Sequence, residues 1–202
     1  MGLGEGHGGW LRKDVRARNL RRLGRVRDFT HHFHRKLTVH AHGSIMSNYR
    51  RPKLTNVPIF FTVTLADRNS DLLVREIDLL RQAVRLTKAE RPFEIDAWVV
   101  LPDHLHCIWR LPGDDTDYPT RWRLIKSRFS REVPLGQVRR SHVKRQERGM
   151  WQRRYWEHHI RDEADFAAHV QYCRLNPVKH GLVERPEDWV FSSFRRGCLI
   201  PG

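Results

Sequence analysis

Hydrophobic and polar residues alternate with a period of two in four stretches of the chain, a pattern typical of half-buried β-strands. The stretches are residues 57–65, 93–101, 104–111 and 151–160. In the first stretch, the hydrophobic residues on one face are Phe61, Val63 and Leu65. In the second stretch, the residues predicted to face inward are Phe93, Ile95, Ala97 and Val99. A Pro-Asp pair at residues 102–103 is predicted to connect the second and third strands tightly.

Hydrophobic residues recur at helical spacing in three further stretches. The first runs from a cap at residue 69 or 70 to about residue 90, and the second, which is basic, covers residues 119–131. The third begins at residue 162 and is expected to end near Asn176, because Pro177 disfavours helical geometry in the residue before it. The order β-α-β-β-α-β followed by a helix predicts an α+β, ferredoxin-like split βαβ fold with an antiparallel sheet. The added C-terminal helix carries a tyrosine.

Residues 1–45 differ in composition from the remainder of the chain. They contain six of the 13 histidines and ten Lys/Arg against three acidic residues, with little apolar periodicity. Such a stretch buries too little surface to offset its ordering entropy, so we expect a disordered, basic and His-rich extension. It is either a DNA-binding tail or, as we favour, an upstream extension from a misplaced start, with Met46 beginning the protein. Residues 46–202 are then the functional domain.

The charge of the chain limits its partners. Lys and Arg number 38 against 23 Asp and Glu, a net charge of +15. A polyanion is the natural partner of such a chain, and an anionic membrane surface is the rival. We expect no membrane span, because no apolar run approaches the roughly 20 residues that a spanning helix needs. The N-terminus lacks the apolar core of a signal peptide and the three cysteines form no C-x-x-C, so a cytoplasmic protein with reduced thiols is expected.

A pair of histidines stands at the start of the third predicted strand. His104 and His106 are two residues apart and therefore point to the same face, while Leu105 and Cys107 face the other way. Side-by-side imidazoles can hold a divalent metal that acts on a phosphodiester. A histidine-triad hydrolase is excluded, because Ile108 occupies the next alternate position. From the residues alone, a metal site and a pair without metal both remain open.

The last predicted helix has two distinct stripes. Its buried stripe consists of Phe166, Val170 and Cys173, and a second stripe carries Tyr172 and Asn176, four residues apart. A tyrosine hydroxyl, with a pKa of about 10, is a poor nucleophile unless a nearby metal polarises the scissile phosphate. The alternative is an amphipathic tyrosine that packs its ring and exposes its hydroxyl to water.

A basic segment with interspersed aromatic residues lies between residues 121 and 154. It has 12 Lys/Arg and two Glu, and its aromatic residues could stack on unpaired bases. We therefore favour nucleic-acid contact over a solvated charged face. The residues predicted to bind DNA are Arg121, Arg123, Lys126, Arg128, Arg153, Arg154 and Lys179.

Four ordered motifs resemble one known family. They are PFEIDAWVVLPDHLHCIW (92–109), RWRLIK (121–126), WQRRYWEHHIR (151–161) and YCRLNPVKHGLV (172–183), followed by WVFSSF (189–194). Together they resemble the REP-associated tyrosine transposases, a branch of the IS200-like Y1 transposases of the HUH superfamily. The resemblance covers about residues 46–196 and leaves out residues 1–45.

The resemblance implies a site and a reaction. His104 and His106 are expected to be metal ligands and Tyr172 the nucleophile, while Asn176 lies where relatives place a third polar ligand that is often Gln. The expected metal is Mg²⁺ or Mn²⁺, although imidazole ligands also suit Zn²⁺. The implied enzyme is an endonuclease and strand transferase. Its Tyr172 attacks a single-stranded DNA phosphate, giving a 5′-phosphotyrosine link and a free 3′-OH that can rejoin strands.

The implied partners are single-stranded DNA hairpins formed by palindromic repeats. This branch is expected to act as a monomer and to need no nucleotide cofactor, consistent with the lack of a G-x-x-x-x-G-K-[ST] motif. The alternative is a catalytically silent protein that binds DNA or RNA hairpins with the same fold, and a membrane-surface binder is more remote.

Overall fold

A four-stranded antiparallel sheet is the centre of the computed structural model, which describes residues 54–134 and 149–195. The strands are β1 (Ile59–Thr64), β2 (Glu94–Val100), β3 (His104–Arg110) and β4 (Trp156–His159). Their order across the sheet is β2-β3-β1-β4, so β3 separates the two strands of the split βαβ unit. The predicted α+β fold is confirmed. The predicted N-terminal extension, most of the loop before β4 and Cys198 lie outside the described residues.

Helices cover both faces of this sheet. They are α1 (Leu72–Arg75), α2 (Ile77–Glu90), α3 (Tyr118–Glu132) and α4 (Glu163–Lys179), with a 3₁₀ turn at Pro186–Asp188. Helices α2 and α3 pack against each other on one face, and α4 packs on the other face against β2 and β3. The single helix predicted up to residue 90 is wrong, because the backbone at Glu76 (φ −105°, ψ 36°) leaves the helical region and divides it.

The alternation of side chains divides the core into two parts. Phe61, Val63 and Leu65 pack towards α2 and α3 with residues such as Trp109 and Trp122, as the alternation of β1 predicts. The core on the other face includes Phe60, Ile108 and Cys173, with Tyr172 packed against it. Burial raises the pKa of both the Cys107 and Cys173 thiols, which are unpaired and remain protonated.

A β-bulge changes the second strand. The register between β2 and β3 shifts between Ile95 and Ala97, so one extra residue is accommodated there. As a result, Phe93 and Ile95 belong to the core under α2 and α3, whereas Ala97 and Val99 belong to the core under α4. The prediction that all four face the same way is therefore wrong.

Two other predicted boundaries differ from those observed. Helix α4 continues through Pro177 to Lys179, past the end that was predicted near Asn176. Strand β4 is limited to Trp156–His159, since Trp151 makes only an isolated bridge with Leu65.

The segment after the 3₁₀ turn covers the exposed edge of β2. Val100 N donates to Phe191 O (2.9 Å) and Ser193 N donates to Trp98 O (2.9 Å), and the Trp189 indole donates to Val100 O (2.8 Å). These hydrogen bonds satisfy backbone N–H and C=O groups on the edge of β2 that could otherwise pair with a strand of another chain. None of the helices within the described ranges has the length and apolar character needed to cross a membrane.

Candidate active site

His104 and His106 lie side by side on the face of β3 that α4 covers. Their ring centroids are 5.0 Å apart, and they are only 5% and 3% exposed. The residues between and after them, Leu105 and Cys107, are buried in the opposite core, as strand alternation requires. The predicted pair is thus formed by the sheet itself, with both imidazoles pointing to one side.

A neighbour binds the Nδ1 atom of each of these imidazoles. Asp103 Oδ1 is 2.7 Å from His104 Nδ1, and Thr62 Oγ1 is 2.9 Å from His106 Nδ1. A carboxylate only accepts, so His104 donates from Nδ1, and in a neutral imidazole this arrangement leaves the Nε2 lone pair for a ligand. Hydrogen bonds of this kind orient imidazoles that bind metals through their other nitrogen.

Asp103 remains a carboxylate in this position. Burial by itself would raise the pKa of Asp103, but the hydrogen bond with His104 and the positive charge of Arg68 outweigh it and hold the pKa below its ordinary value. The Arg68 Nε atom is 2.6 Å from Asp103 Oδ2. Sequence reasoning assigned residue 103 only to a turn and missed this role. It also missed His180, whose ring lies 5.2 Å from that of His104.

Tyr172 on α4 faces the histidine pair. Its ring centroid is 5.0 Å from that of His106, at an interplanar angle of 77°, and 5.8 Å from that of Phe60. Lys179 Nζ lies 5.0 Å from the centre of the same ring. Burial raises the pKa of Tyr172, and a hydrogen bond with Asn176 opposes part of that rise. The phenol is therefore protonated at neutral pH, and a nearby positive charge is needed to favour phenolate.

Asn176 is buried at 2% exposure, one helical turn after Tyr172. Its Oδ1 accepts no hydrogen bond from any described residue. A buried amide oxygen without a donor costs free energy, which a bound cation or substrate donor can recover. An amide oxygen and two imidazole nitrogens are a donor set that divalent metals accept. The residues present therefore fit a metal ion, and Mg²⁺, Mn²⁺ and Zn²⁺ are all compatible with them.

The predicted DNA-binding residues do not share one environment. Arg121 is 1% exposed, and its guanidinium donates to Arg91 O, Asp117 O, Pro92 O and the Asp115 carboxylate. It cannot reach a phosphate, so its predicted contact with DNA is corrected to a structural role. Arg128 is engaged between α2 and α3, where it donates to Thr87 Oγ1 (2.7 Å) and to Glu90. The exposed members of the set are Arg123, Arg153, Arg154 and Lys179.

An open groove lies beside α3, among residues that pack towards the core opposite the histidine pair. Its volume is about 590 Å³, and Arg123, Lys126, Trp151 and Arg153 are among its lining residues. Lys126 Nζ lies 5.7 Å from the centre of the Trp151 ring and 5.4 Å from that of Tyr155, and it donates to Gln152 O (3.1 Å). Burial lowers the pKa of Lys126 to about 8. This groove thus combines basic and aromatic residues.

Comparisons with known proteins give two close relatives. The chain is 46% identical over 151 residues to a REP-associated tyrosine transposase of Escherichia coli K12, which covers 75% of this chain and 84% of the relative. It is 44% identical over 153 residues to a protein of Haemophilus influenzae assigned provisionally to the same family, covering 75% and 87% of the two chains. No family model matches the chain.

A solved structure agrees with these relatives. It is that of a REP-associated tyrosine transposase bound to a REP hairpin, 46% identical to this chain, with a TM-score of 0.64. The match covers 74% of this chain and 83% of the solved one.

Proposed function

The chain belongs to the REP-associated tyrosine transposases, and we propose that it cleaves and rejoins single-stranded DNA at hairpin-forming palindromic repeats through Tyr172. The observation that carries this proposal is the 5.0 Å separation between the rings of Tyr172 and His106. A helix and a strand far apart in sequence meet there, with Asn176 buried beside the tyrosine. A solved relative is bound to a REP hairpin, which supports the same class of substrate here.

We propose that His104, His106 and Asn176 hold a divalent cation, Mg²⁺ or Mn²⁺. When bound, the cation supplies positive charge that polarises the scissile phosphate and favours the phenolate of Tyr172. Asp103 and Thr62 keep the two imidazoles oriented by binding their Nδ1 atoms. Asn176 contributes its buried oxygen, and its amide N–H donates to the Tyr172 hydroxyl.

The proposed reaction exchanges one phosphodiester bond for another. The Tyr172 oxygen attacks the phosphorus and loses its proton to solvent, the bond from phosphorus to the 3′ oxygen breaks, and that oxygen takes up a proton. The products are a 5′-phosphotyrosine and a free 3′-OH. Attack by a 3′-OH on the phosphotyrosine reverses the exchange and restores the phenol. The number of phosphodiester bonds is conserved, so no nucleotide triphosphate is consumed.

Exposed basic residues are proposed to bind the DNA backbone. Arg123, Arg153, Arg154 and Lys179 are exposed, and Lys126 lies in the aromatic groove beside α3. Arginine and lysine at such positions neutralise phosphates, and Trp151 and Tyr155 offer ring faces to unpaired bases.

We propose that the protein acts as a monomer in the cytoplasm.

Trapping the covalent intermediate tests this function. The protein is incubated with end-labelled single-stranded hairpins from its own genome and Mn²⁺ or Mg²⁺, and denaturing gels reveal protein–DNA adducts. We expect an adduct that requires metal and that maps by mass spectrometry to the peptide carrying Tyr172. Tyr172→Phe removes a single oxygen and keeps the ring, so it is the matched control: it should bind the hairpin and form no adduct. An adduct on Tyr155 would refute the assignment of the nucleophile, and hairpin binding without any adduct would favour the silent hairpin-binding protein.

A further inference from the structure

A buried carboxylate joins α4 to the edge strand β4. Asp165, in the first turn of α4, is 8% exposed at its side chain, and His158 Nε2 of β4 is 2.8 Å from its Oδ2. His169, one turn later on α4, places Nδ1 3.1 Å from Asp165 Oδ1. Arg161 adds its backbone N (3.1 Å) and its Nε (3.2 Å) to the same carboxylate. One side chain thus ties the strand, the connection and the first two turns of the helix together.

A series of ring contacts leads from this carboxylate to the candidate active site. The rings of His158 and His169 are stacked, with centroids 4.7 Å apart and planes at 18°. His169 in turn packs on Phe60, at 4.7 Å between centroids. Phe60 contacts both His106 (5.6 Å) and Tyr172 (5.8 Å). Each ring in this series limits where the next can lie.

We propose that Asp165, acting through His158 and His169, is a positioning residue that holds α4 in the rotation and axial position that bring Tyr172 to His106. Its catalytic consequence rests on the proposed function, whereas the position of Tyr172 does not. Tyr172 lies seven residues after Asp165, two helical turns away, so the two side chains are on the same side of α4. A helix pinned at its first turn cannot slide along the sheet without breaking these hydrogen bonds. Reaction rates fall steeply when a nucleophile is displaced by about 1 Å.

The same three side chains also form the only group of three His, Cys, Asp or Glu in residues 54–134 and 149–195 with ligating atoms within 4.8 Å of one another. We favour hydrogen bonding over a cation there. His169 Nδ1 is 2.8 Å from Asp165 O, which only accepts, so that nitrogen carries a proton. Burial alone would raise the pKa of Asp165, but the bonds from His158 and Arg161 outweigh it and keep the pKa far below its ordinary value. The Asp165 carboxylate therefore stays ionised, and its Oδ2 already accepts hydrogen bonds from His158 and Arg161.

The test compares Asp165→Asn and His158→Ala with two matched variants. His158→Gln restores a side-chain N–H near the position of imidazole Nε2, and Arg161→Ala removes only the exposed partner of Asp165. Three quantities are measured: the rate of adduct formation at saturating hairpin, the hairpin Kd, and the rate at which tetranitromethane nitrates Tyr172 in the DNA-free protein. Nitration is followed by mass spectrometry of the Tyr172 peptide, with the buried Tyr118 as internal reference.

For Asp165→Asn and His158→Ala we expect about tenfold slower adduct formation, an unchanged Kd and several-fold faster nitration of Tyr172. His158→Gln should recover most of the lost rate, and Arg161→Ala should match the wild-type protein. Wild-type nitration in a folded Asp165→Asn or His158→Ala protein would overturn the proposal, even if the wild type forms no adduct. Stoichiometric Zn²⁺ binding that Asp165→Asn abolishes and His104→Ala retains would overturn the hydrogen-bonded account as well.

Discussion

The hydroxyl of Thr62 and the imidazole of His106 are hydrogen-bonded across the paired strands β1 and β3, with Oγ1 2.9 Å from Nδ1. The two residues are directly opposite each other in the antiparallel register. Asp103 binds His104 Nδ1 in an equivalent way from the preceding turn. Both rings are therefore oriented by neighbours at Nδ1, and Nε2 is the nitrogen that each offers to the proposed metal.

Removal of either imidazole should separate cleavage from binding. His104→Ala and His106→Ala are expected to abolish adduct formation and to leave the hairpin Kd nearly unchanged, since the proposed phosphate contacts come from other residues. Thr62→Val keeps the shape of the side chain and removes only the hydroxyl, so apparent metal affinity should fall about tenfold. The measurement is the rate of adduct formation against Mn²⁺ concentration, where excess Mn²⁺ should rescue Thr62→Val and not the alanine variants. Undiminished cleavage by His106→Ala would refute its assignment as a ligand.

Arg121 and Arg123 provide a matched pair that distinguishes structure from binding. Arg121→Met removes a buried guanidinium together with its hydrogen bonds to the Asp115 carboxylate and to three carbonyl groups, so we expect a loss of about 3 kcal/mol in unfolding free energy. Arg123→Met changes an exposed side chain and should leave the free energy of unfolding unchanged while weakening hairpin binding. Chemical denaturation and fluorescence anisotropy check the two effects.

The hydrogen-bonded pair of Arg121 and Asp115 predicts that the free energy of unfolding depends on pH. The hydrogen bond from Arg121 holds the pKa of Asp115 below its ordinary value in the folded protein, and burial opposes it only in part. The stabilisation is thus present above the unfolded pKa of about 3.9 and is lost as the pH falls through the lower folded pKa. The difference in stability between the wild type and Arg121→Met should shrink below about pH 4. A difference that persists at acidic pH would mean that the carbonyl groups, and not Asp115, account for the role of Arg121.

The fold was largely predictable, because strand alternation and helical spacing specify which face of each element is buried. His104 and His106 follow directly from this alternation, as does the burial of Leu105. The bulge between Ile95 and Ala97 was not predictable, because the hydrophobic residues of this stretch keep a period of two through the extra residue. Asp103 and Thr62 could have been found from the turn and the strand register.

The environment of charged residues was the least predictable part of the site. Arg121 and Arg123 are two residues apart in a basic helix, and composition treats them alike. Only the packing of α3 against the connection at Arg91 and Pro92 makes one of them structural and leaves the other exposed. The end of α4 was misjudged for a similar reason, since Pro177 is buried in a helical last turn that tertiary packing stabilises.

The affinity for the hairpin should decrease as the pH rises from 7 to 9. Burial lowers the pKa of Lys126 to about 8, so its charge is present at pH 7 and mostly lost at pH 9. If Lys126 contacts a phosphate, the hairpin Kd rises a few-fold between these values. Lys126→Arg keeps the charge at every pH tested and should remove the change. An equal pH dependence in both proteins would assign the effect to another group.

The salt dependence of hairpin affinity should identify which basic residues meet the DNA. Arg153→Ala, Arg154→Ala and Lys179→Ala are each expected to reduce the slope of log K against log salt by about one unit. Arg128→Ala is the control, because its guanidinium is already engaged by Thr87 and Glu90. The measurement is a titration at several salt concentrations. A slope that no exposed variant alters would mean that the charge excess is a solvated surface.

Substitution of Asn176 should have opposite effects on thermal stability and on the rate of adduct formation. Asn176→Leu is close in size, removes a buried oxygen that no described residue satisfies, and gives up one hydrogen bond with Tyr172. An unsatisfied buried acceptor costs about 1–3 kcal/mol and the lost bond is worth about 1 kcal/mol, so the melting temperature should stay the same or rise. The rate of adduct formation should decrease, since the proposed metal loses its third ligand and Tyr172 loses a hydrogen-bond donor that favours phenolate. Adduct formation is therefore expected to fall about a hundredfold and to respond little to added Mn²⁺. Asn176→Gln, which retains an amide oxygen, should recover part of the rate. A lower melting temperature for Asn176→Leu together with wild-type cleavage would show that Asn176 serves the fold and not the metal.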